Sequence, residues 1–217
     1  YDAICPLVSK IHKEIFLLET QGYQIVMIGH EGHPEVEGTA GQLQDISKLT
    51  LVQKLNDVEQ LYFPSDQKIA YITQTTLSVF DTQEIVDALE KKFPEILAPK
   101  KSDICYATSN RQTSVQEMAK KVNAFFVIGA FNSSNSIRLV ETAKKFGCEY
   151  SELIENIDDF DFQKLNQFQS IGLTASASAP EDQLNLFIDR AKENFNPEVV
   201  DYKEDENIVF KVPNFLN

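Results

Sequence analysis

The chain contains no run of about 18 apolar residues, so nothing in it reads as a membrane span. Nor does any segment carry the basic, apolar and small-residue order of a targeting peptide. Positive charge is scarce: 20 Lys and Arg stand against 33 Asp and Glu, a net charge of −13. That balance disfavours nucleic acid or an anionic membrane as a partner, because few cations are available to neutralise phosphates. An anionic substrate would need a locally built pocket. The three cysteines are an odd number in a chain without a signal peptide, and read as reduced thiols or metal ligands rather than a disulfide framework. There is no initiating methionine, and only Tyr1, Asp2, Ala3 and Ile4 precede the first cysteine. These residues are too few to build a strand and its support, so the chain is expected to be the C-terminal part of a longer protein.

What is present is a repeat. Cys5 and Cys105 are separated by 105 − 5 = 100 residues, and the same offset relates Ile28 and Gly29 to Ile128 and Gly129, His33 to Ser133, Ser78 to Ser178, and Gln83 to Gln183. A chain of 217 residues accommodates two domains of about 100 residues each. The expected division is 1–100, 101–203 and a tail at 204–217. Apolar residues Leu7, Ile11, Ile15, Phe16 and Leu18 recur at helical spacing, with Gly22 placed to end the helix. Strands are expected at 23–28, 69–72, 124–128 and 171–174, with helices at 114–122 and 135–146, another capped by Asp81 or Thr82, and another from Pro180. Glu95 to Ala98 reads as strand-like, and Asn207 to Val212 as a strand without a counterpart in the first copy. The alternation implies an α/β fold of parallel βαβ units, with ligands beyond the carboxyl ends of the strands.

Cys5 and Cys105 each fall at an expected helix start, where the dipole and free amides favour thiolate. A lone cysteine is as readily a small buried hydrophobe, but the matched positions argue against that for this pair. Cys148 has no partner and reads as structural. The segment from His30 to Thr39 places His30, His33 and three carboxylates, Glu31, Glu35 and Glu37, in one glycine-bounded loop. It supplies a general acid or base beside an imidazole; it also reads as a solvated acidic loop. Ser133, Ser134 and Asn135 open one helix, Ser176 and Ser178 precede another, and Thr75 and Thr76 stand at a third equivalent place. Singly each is a helix cap; together they suit a phosphate or diphosphate.

These motifs together resemble the LytB/IspH family of 4-hydroxy-3-methylbut-2-enyl diphosphate reductases. The likeness is carried by AICPLV at 3–8, GHPEVEGT at 32–39, TQTTLS at 73–78, DICYAT at 103–108, NSSNS at 132–136 and ASAP at 177–180. It runs from Asp2 to about Pro213. The resemblance implies a trefoil of three α/β domains, of which the N-terminal one lies before Tyr1. It also implies a four-iron, four-sulfur cluster held by Cys5, Cys105 and a third cysteine upstream. On the same basis His33, Ser133, Ser134, Asn135 and Ser178 would hold the diphosphate, and Glu35 and Thr75 would deliver protons to the leaving hydroxyl. Electrons would come from ferredoxin or flavodoxin, and the compartment would be a bacterial cytoplasm or a plastid stroma. Ser176 departs from the family, which usually has glycine there. Two other readings are a non-catalytic diphosphate-binding fragment and a zinc-dependent hydrolase using His30, His33 and Cys5.

Overall fold

The structure is a computed structural model that describes residues 4–202. The tail and the strand expected at 207–212 lie outside the described residues. In the first unit the order is α1 (Pro6–Thr20), β1 (Gln24–Ile28), α2 (Pro34–Ala40), β2 (Leu49–Val52), α3 (Leu55–Gln60), β3 (Ile69–Thr73) and α4 (Val79–Lys92). The second runs α5 (Tyr106–Ala119), β4 (Ala124–Ile128), α6 (Ser134–Lys145), β5 (Tyr150–Ile154), β6 (Ile171–Ala175) and α7 (Glu181–Phe195). Each unit is a three-stranded parallel sheet, ordered β2-β1-β3 and β5-β4-β6.

The central strands explain the layering. In β1, Ile25 and Met27 join Ile11, Ile15 and Leu18 of α1, while Val26 and Ile28 join Val58 of α3 and Ile85 and Leu89 of α4. Alternate side chains of a strand point to opposite faces, so a strand with no polar alternation must be covered on both. The second unit repeats this arrangement. Phe125 and Val127 pack with α5 and α6, and Phe126 packs with α7 through Phe187, inside a cluster that includes Tyr150, Phe160 and Phe168. Phe125 and Phe126 are fully buried, and each such side chain contributes about 1.5–3 kcal/mol through removal from water.

The 100-residue offset holds only part of the way. Ile28 pairs with Val52 and Thr73, whereas Ile128 pairs with Ile154 and Ala175. The separations are therefore 128 − 28 = 100 for the central strands but 154 − 52 = 102 and 175 − 73 = 102 for their neighbours. The slip arises between the central strand and the next one, the stretch where α6 has 12 residues against 7 in α2. Ser78 thus corresponds to Pro180, both N-caps, and Ser178 to Thr76; the matches of Ser78 with Ser178 and Gln83 with Gln183 are not structural equivalences.

Other expectations are revised. Helix α5 begins at Tyr106 rather than Ser114, because its buried face includes Thr108 and Gln112 and so lacks an apolar period there. Ser78 rather than Asp81 or Thr82 caps α4, its hydroxyl accepting from the Asp81 amide. Phe16 is 43 % exposed and lies off the buried face of α1. The stretch 95–98 forms only an isolated bridge, Leu97 to Ala70. Ile104, just before Cys105, packs into the first unit's core. Gly22 and Gly147, at φ +82° and +102°, end α1 and α6 in the left-handed region.

Gly172 in β6 lies against the Phe125 ring, where an added Cβ would sit 2.5 Å from two ring carbons. Gly172→Ala is expected to destabilise the protein by about 1–3 kcal/mol through overpacking, read as a lowered unfolding midpoint. An unchanged midpoint would show that the ring has room to move.

Candidate active site

Both sheets are parallel, so the loops after β1, β3, β4 and β6 leave from the carboxyl ends. After β1 the chain turns directly into α2, so the expected loop is mostly helix. His33 is its N-cap: Nδ1 accepts from the Glu35 amide at 3.1 Å, and Pro34 fills the first turn. An accepting Nδ1 carries no hydrogen, which leaves the ring proton on Nε2, and burial holds the His33 pKa below its ordinary value. His33 is therefore a neutral imidazole that donates from Nε2.

The Glu35 side chain crosses to the end of β3. Its Oε1 accepts from the Thr75 amide at 2.7 Å and its Oε2 from Thr75 Oγ1 at 2.8 Å. Burial pushes the Glu35 carboxyl up, the two Thr75 bonds oppose this, and the Asp103 charge adds to the rise, leaving it above the ordinary range. Glu31 and Glu37 are exposed. The Thr75 carbonyl in turn accepts from the Cys105 amide at 3.0 Å. One backbone segment thus joins a raised carboxyl to a cysteine.

Cys5 and Cys105 are both helix N-caps. The Cys105 sulfur accepts from the Thr108 amide at 3.3 Å and lies 2.9 Å from Thr108 Oγ1, whereas the exposed Cys5 thiol makes no side-chain capping bond. Cys148 is buried in the second unit's core, where its thiol donates to the Tyr150 carbonyl at 3.2 Å and burial pushes its pKa up.

Ser133 caps α6, its Oγ accepting from the Ser136 amide. Ser134 meets the first unit: Thr76 Oγ1 donates to its Oγ at 3.2 Å, and that Oγ donates to the Thr76 carbonyl at 3.3 Å. Asn135 is 5 % exposed, yet neither its Oδ1 nor its Nδ2 has a hydrogen-bond partner. An unmet buried amide costs about 1–3 kcal/mol, which marks the position as one that a polar ligand would complete. Ser178 is exposed and stands 3.4 Å from the buried Ser176 hydroxyl. A Cβ on Gly129 would lie 2.2 Å from Ser136 Oγ and 2.8 Å from Ser176 Oγ, so the backbone there must remain bare.

Four polar residues outside the expected site set tie it together. Gln74 is wholly buried: its Oε1 accepts from the His30 amide at 3.1 Å, and its Nε2 donates to Thr76 Oγ1 at 3.0 Å. Gln112 accepts from the Val79 amide and donates to the Leu77 carbonyl, both at 2.9 Å. Arg138 Nη2 lies 2.6 Å from His30 Nε2, and Asp103 accepts from the Thr73 amide at 3.2 Å. Gln74 and Asp103 sit inside the TQTTLS and DICYAT segments, which was the only signal; nothing local distinguishes Arg138 or Gln112. His30 Nε2 is thereby engaged by Arg138. Among the described residues no three His, Cys, Asp or Glu side chains gather as a metal site.

The family model described as LytB protein matches residues 1–192. The chain is 48 % identical over 217 residues to a 4-hydroxy-3-methylbut-2-enyl diphosphate reductase of Ruegeria sp. (strain TM1040), covering 99 % of this chain and 68 % of that protein. It is 44 % identical over 218 residues to one of Proteus mirabilis (strain HI4320), covering 100 % and 68 %. Among solved structures, the E-1-hydroxy-2-methyl-but-2-enyl-4-diphosphate reductase from Plasmodium falciparum superposes with a TM-score of 0.91 at 36 % identity, over 99 % of this chain and 68 % of that one. The chain thus spans about two thirds of the length of these relatives.

The His30 contact makes a pH dependence. A guanidinium stays protonated, so His30 Nε2 must accept, and burial, then Arg138, then His33 lower the His30 pKa from 6.5. Stability from a lowered folded pKa is fully present above 6.5 and is lost as pH falls through the folded value. The unfolding midpoint is expected to drop on acidification below pH 6.5, and His30→Gln, which accepts but does not titrate, should flatten that drop. An unaltered pH slope in the variant would assign the dependence to other groups.

Proposed function

This chain belongs to the LytB protein family, and on that premise we propose that it supplies the second and third α/β units of a 4-hydroxy-3-methylbut-2-enyl diphosphate reductase. The reaction removes the substrate hydroxyl as water, consuming two electrons and two protons, and yields isopentenyl and dimethylallyl diphosphate, the last step of the non-mevalonate isoprenoid route. The observation that carries the reading is the Glu35–Thr75 pair joined through the Thr75 carbonyl to the Cys105 amide. A reductive dehydroxylation needs an acid held near the electron-supplying group, and this connection supports that assignment for Glu35 and Thr75.

A four-iron, four-sulfur cluster fits the donor chemistry. Cys5 and Cys105 present sulfur at helix N-termini, and Cys105 already receives an amide hydrogen bond of the kind that stabilises a cluster thiolate. These two would hold it together with a third cysteine from the upstream unit. When bound, the cluster would supply electrons passed on from ferredoxin or flavodoxin and Lewis acidity toward the substrate hydroxyl. The zinc-hydrolase reading has less support, since His30 Nε2 is taken by Arg138 and His33 Nδ1 by the Glu35 amide.

The remaining work falls to this chain's own side chains. Asn135, with its free amide, and His33, donating from Nε2, would bind the diphosphate with the hydroxyls of Ser133, Ser134 and Ser178. Neutral donors suit a chain of net charge −13 with no Lys or Arg within these segments. Glu35, its carboxyl raised by burial, would hold a proton and pass it through Thr75 Oγ1 to the departing hydroxyl. Hydroxide is a poor leaving group, so an acid within about 2.6–3.2 Å, directly or through one relay, is what the step requires.

In the full-length protein, Glu35→Gln keeps size and hydrogen bonding but removes the transferable proton. Turnover is expected to fall about a hundredfold or more with cluster absorption retained, while the exposed Glu31→Gln and Glu37→Gln change it little. Near-normal turnover in Glu35→Gln would refute the acid assignment. Asn135→Ala should weaken diphosphate binding by about tenfold, measured by calorimetry on cluster-matched protein. Unchanged affinity would move the pocket elsewhere.

A further inference from the structure

Asp103 stands between the two units with its side chain 0 % exposed. One oxygen accepts from Lys10 Nζ at 3.1 Å and the other from the Thr73 amide at 3.2 Å. One carboxylate thereby joins three segments: α1 at Lys10, five residues after Cys5; the end of β3 at Thr73, two before Thr75; and the linker itself, two before Cys105. A buried carboxylate depends steeply on the position of its cation, because leaving it unpaired exposes the full cost of its desolvation.

The need for such a link is visible in α1. Its buried apolar residues begin only at Ile11, so the first turn, which ends on Cys5, is not held by the core. Apolar packing is non-directional and permits small slides along the helix axis. Cys105 is tied to β3 through the Thr75 carbonyl, but the Cys5 thiol has no side-chain capping bond to anchor it. The Lys10–Asp103 pair is a directional connection between the two cysteine-bearing segments. It lies about 7.5 Å along the helix from Cys5 at a rise of about 1.5 Å per residue.

We propose that Asp103 and Lys10 are positioning residues that set the relation of the Cys5 and Cys105 thiols for the iron-sulfur cluster. The inference rests on the cluster reading given under the proposed function. Both act through the backbone that carries the cysteines, α1 for Cys5 and the linker for Cys105. Partners of this kind, which orient ligands without being ligands, typically change metal affinity by about 10- to 100-fold when removed.

The test uses anaerobically purified full-length protein carrying Lys10→Met, Asp103→Asn or Lys10→Arg. Iron and sulfide per chain, the rate of iron loss to a chelator, and the electron paramagnetic resonance spectrum of the reduced protein are measured beside the unfolding midpoint of the apoprotein. Lys10→Met and Asp103→Asn should lose iron about 10- to 100-fold faster with an altered spectrum, and Lys10→Arg should restore both. Where Asp103→Asn does not fold, Lys10→Met carries the comparison, since its side chain is 44 % exposed and tolerates the change. Wild-type rates and spectra in both variants, or no rescue by arginine in a folded protein, would overturn the proposal. A wild-type protein without iron and sulfide would instead overturn the cluster reading, and the positioning role with it.

Discussion

A parallel sheet ends all its strands at one edge, and everything at this site follows from that constraint. The segment after β1 carries His33 as the N-cap of α2 and Glu35 in its first turn, and the segment after β3 carries Thr75. Because β1 and β3 are hydrogen-bonded neighbours in register, with Ile28 opposite Thr73, two residues 40 apart in sequence meet at 2.7 Å without any special loop design. The second unit obeys the same rule with Ile128 opposite Ala175, which brings the α6 start and the Ser176–Ser178 segment to one place. Apolar strands buried on both faces fix the scaffold; the chemistry is hung from its rim.

The two units are joined by polar side chains as well as by packing. Gln112 satisfies a free helix-start amide and a loop carbonyl of the first unit, Thr76 and Ser134 exchange hydrogen bonds, and Lys145 pairs with Asp81 at 2.6 Å. Each net hydrogen bond contributes about 1 kcal/mol, but a buried polar group left without its partner costs more than that. Such bonds therefore fix orientation more than they add stability. Around this satisfied network the amide of Asn135 and the hydroxyl of Ser136 stay unmet. These unmet groups, at the start of α6, contrast with the satisfied joints between the units.

The balance of charge follows the same logic. On the proposed reading, an acidic chain that is to hold a diphosphate would rely on local hydrogen-bond donors and on helix starts that concentrate amide hydrogens, because its net charge repels the anion. Neutral His33 and the hydroxyls of Ser133, Ser134 and Ser178 are donors of that kind, while Lys10 is paired with Asp103 and Arg138 is held by Glu141 and His30. Ser176 turns its hydroxyl toward Gly129 and Ser178, where an added Cβ on Gly129 would meet it at 2.8 Å.

Much of this architecture was legible in the residues alone. The bounds of α1, the central strands and the capping cysteines follow from rules that act over one to four positions: apolar period, a glycine able to turn left-handed, a side chain that meets a free amide. Those rules failed where a helix buried polar residues, as α5 does with Thr108 and Gln112, and where a net gain of two residues between the central strand and the next one shifted the repeat. The family resemblance brought Cys5, Cys105, His33, Glu35 and Asn135 together as a set. Only the tertiary structure decided that Glu35 is clasped by Thr75, that Asp103 links Lys10 to Thr73, and that His30 answers Arg138. These contacts span 40, 93, 30 and 108 residues, and the free energy that selects them is the burial of polar groups that must find partners. That requirement is set by the packed whole, and no local pattern of residues encodes it.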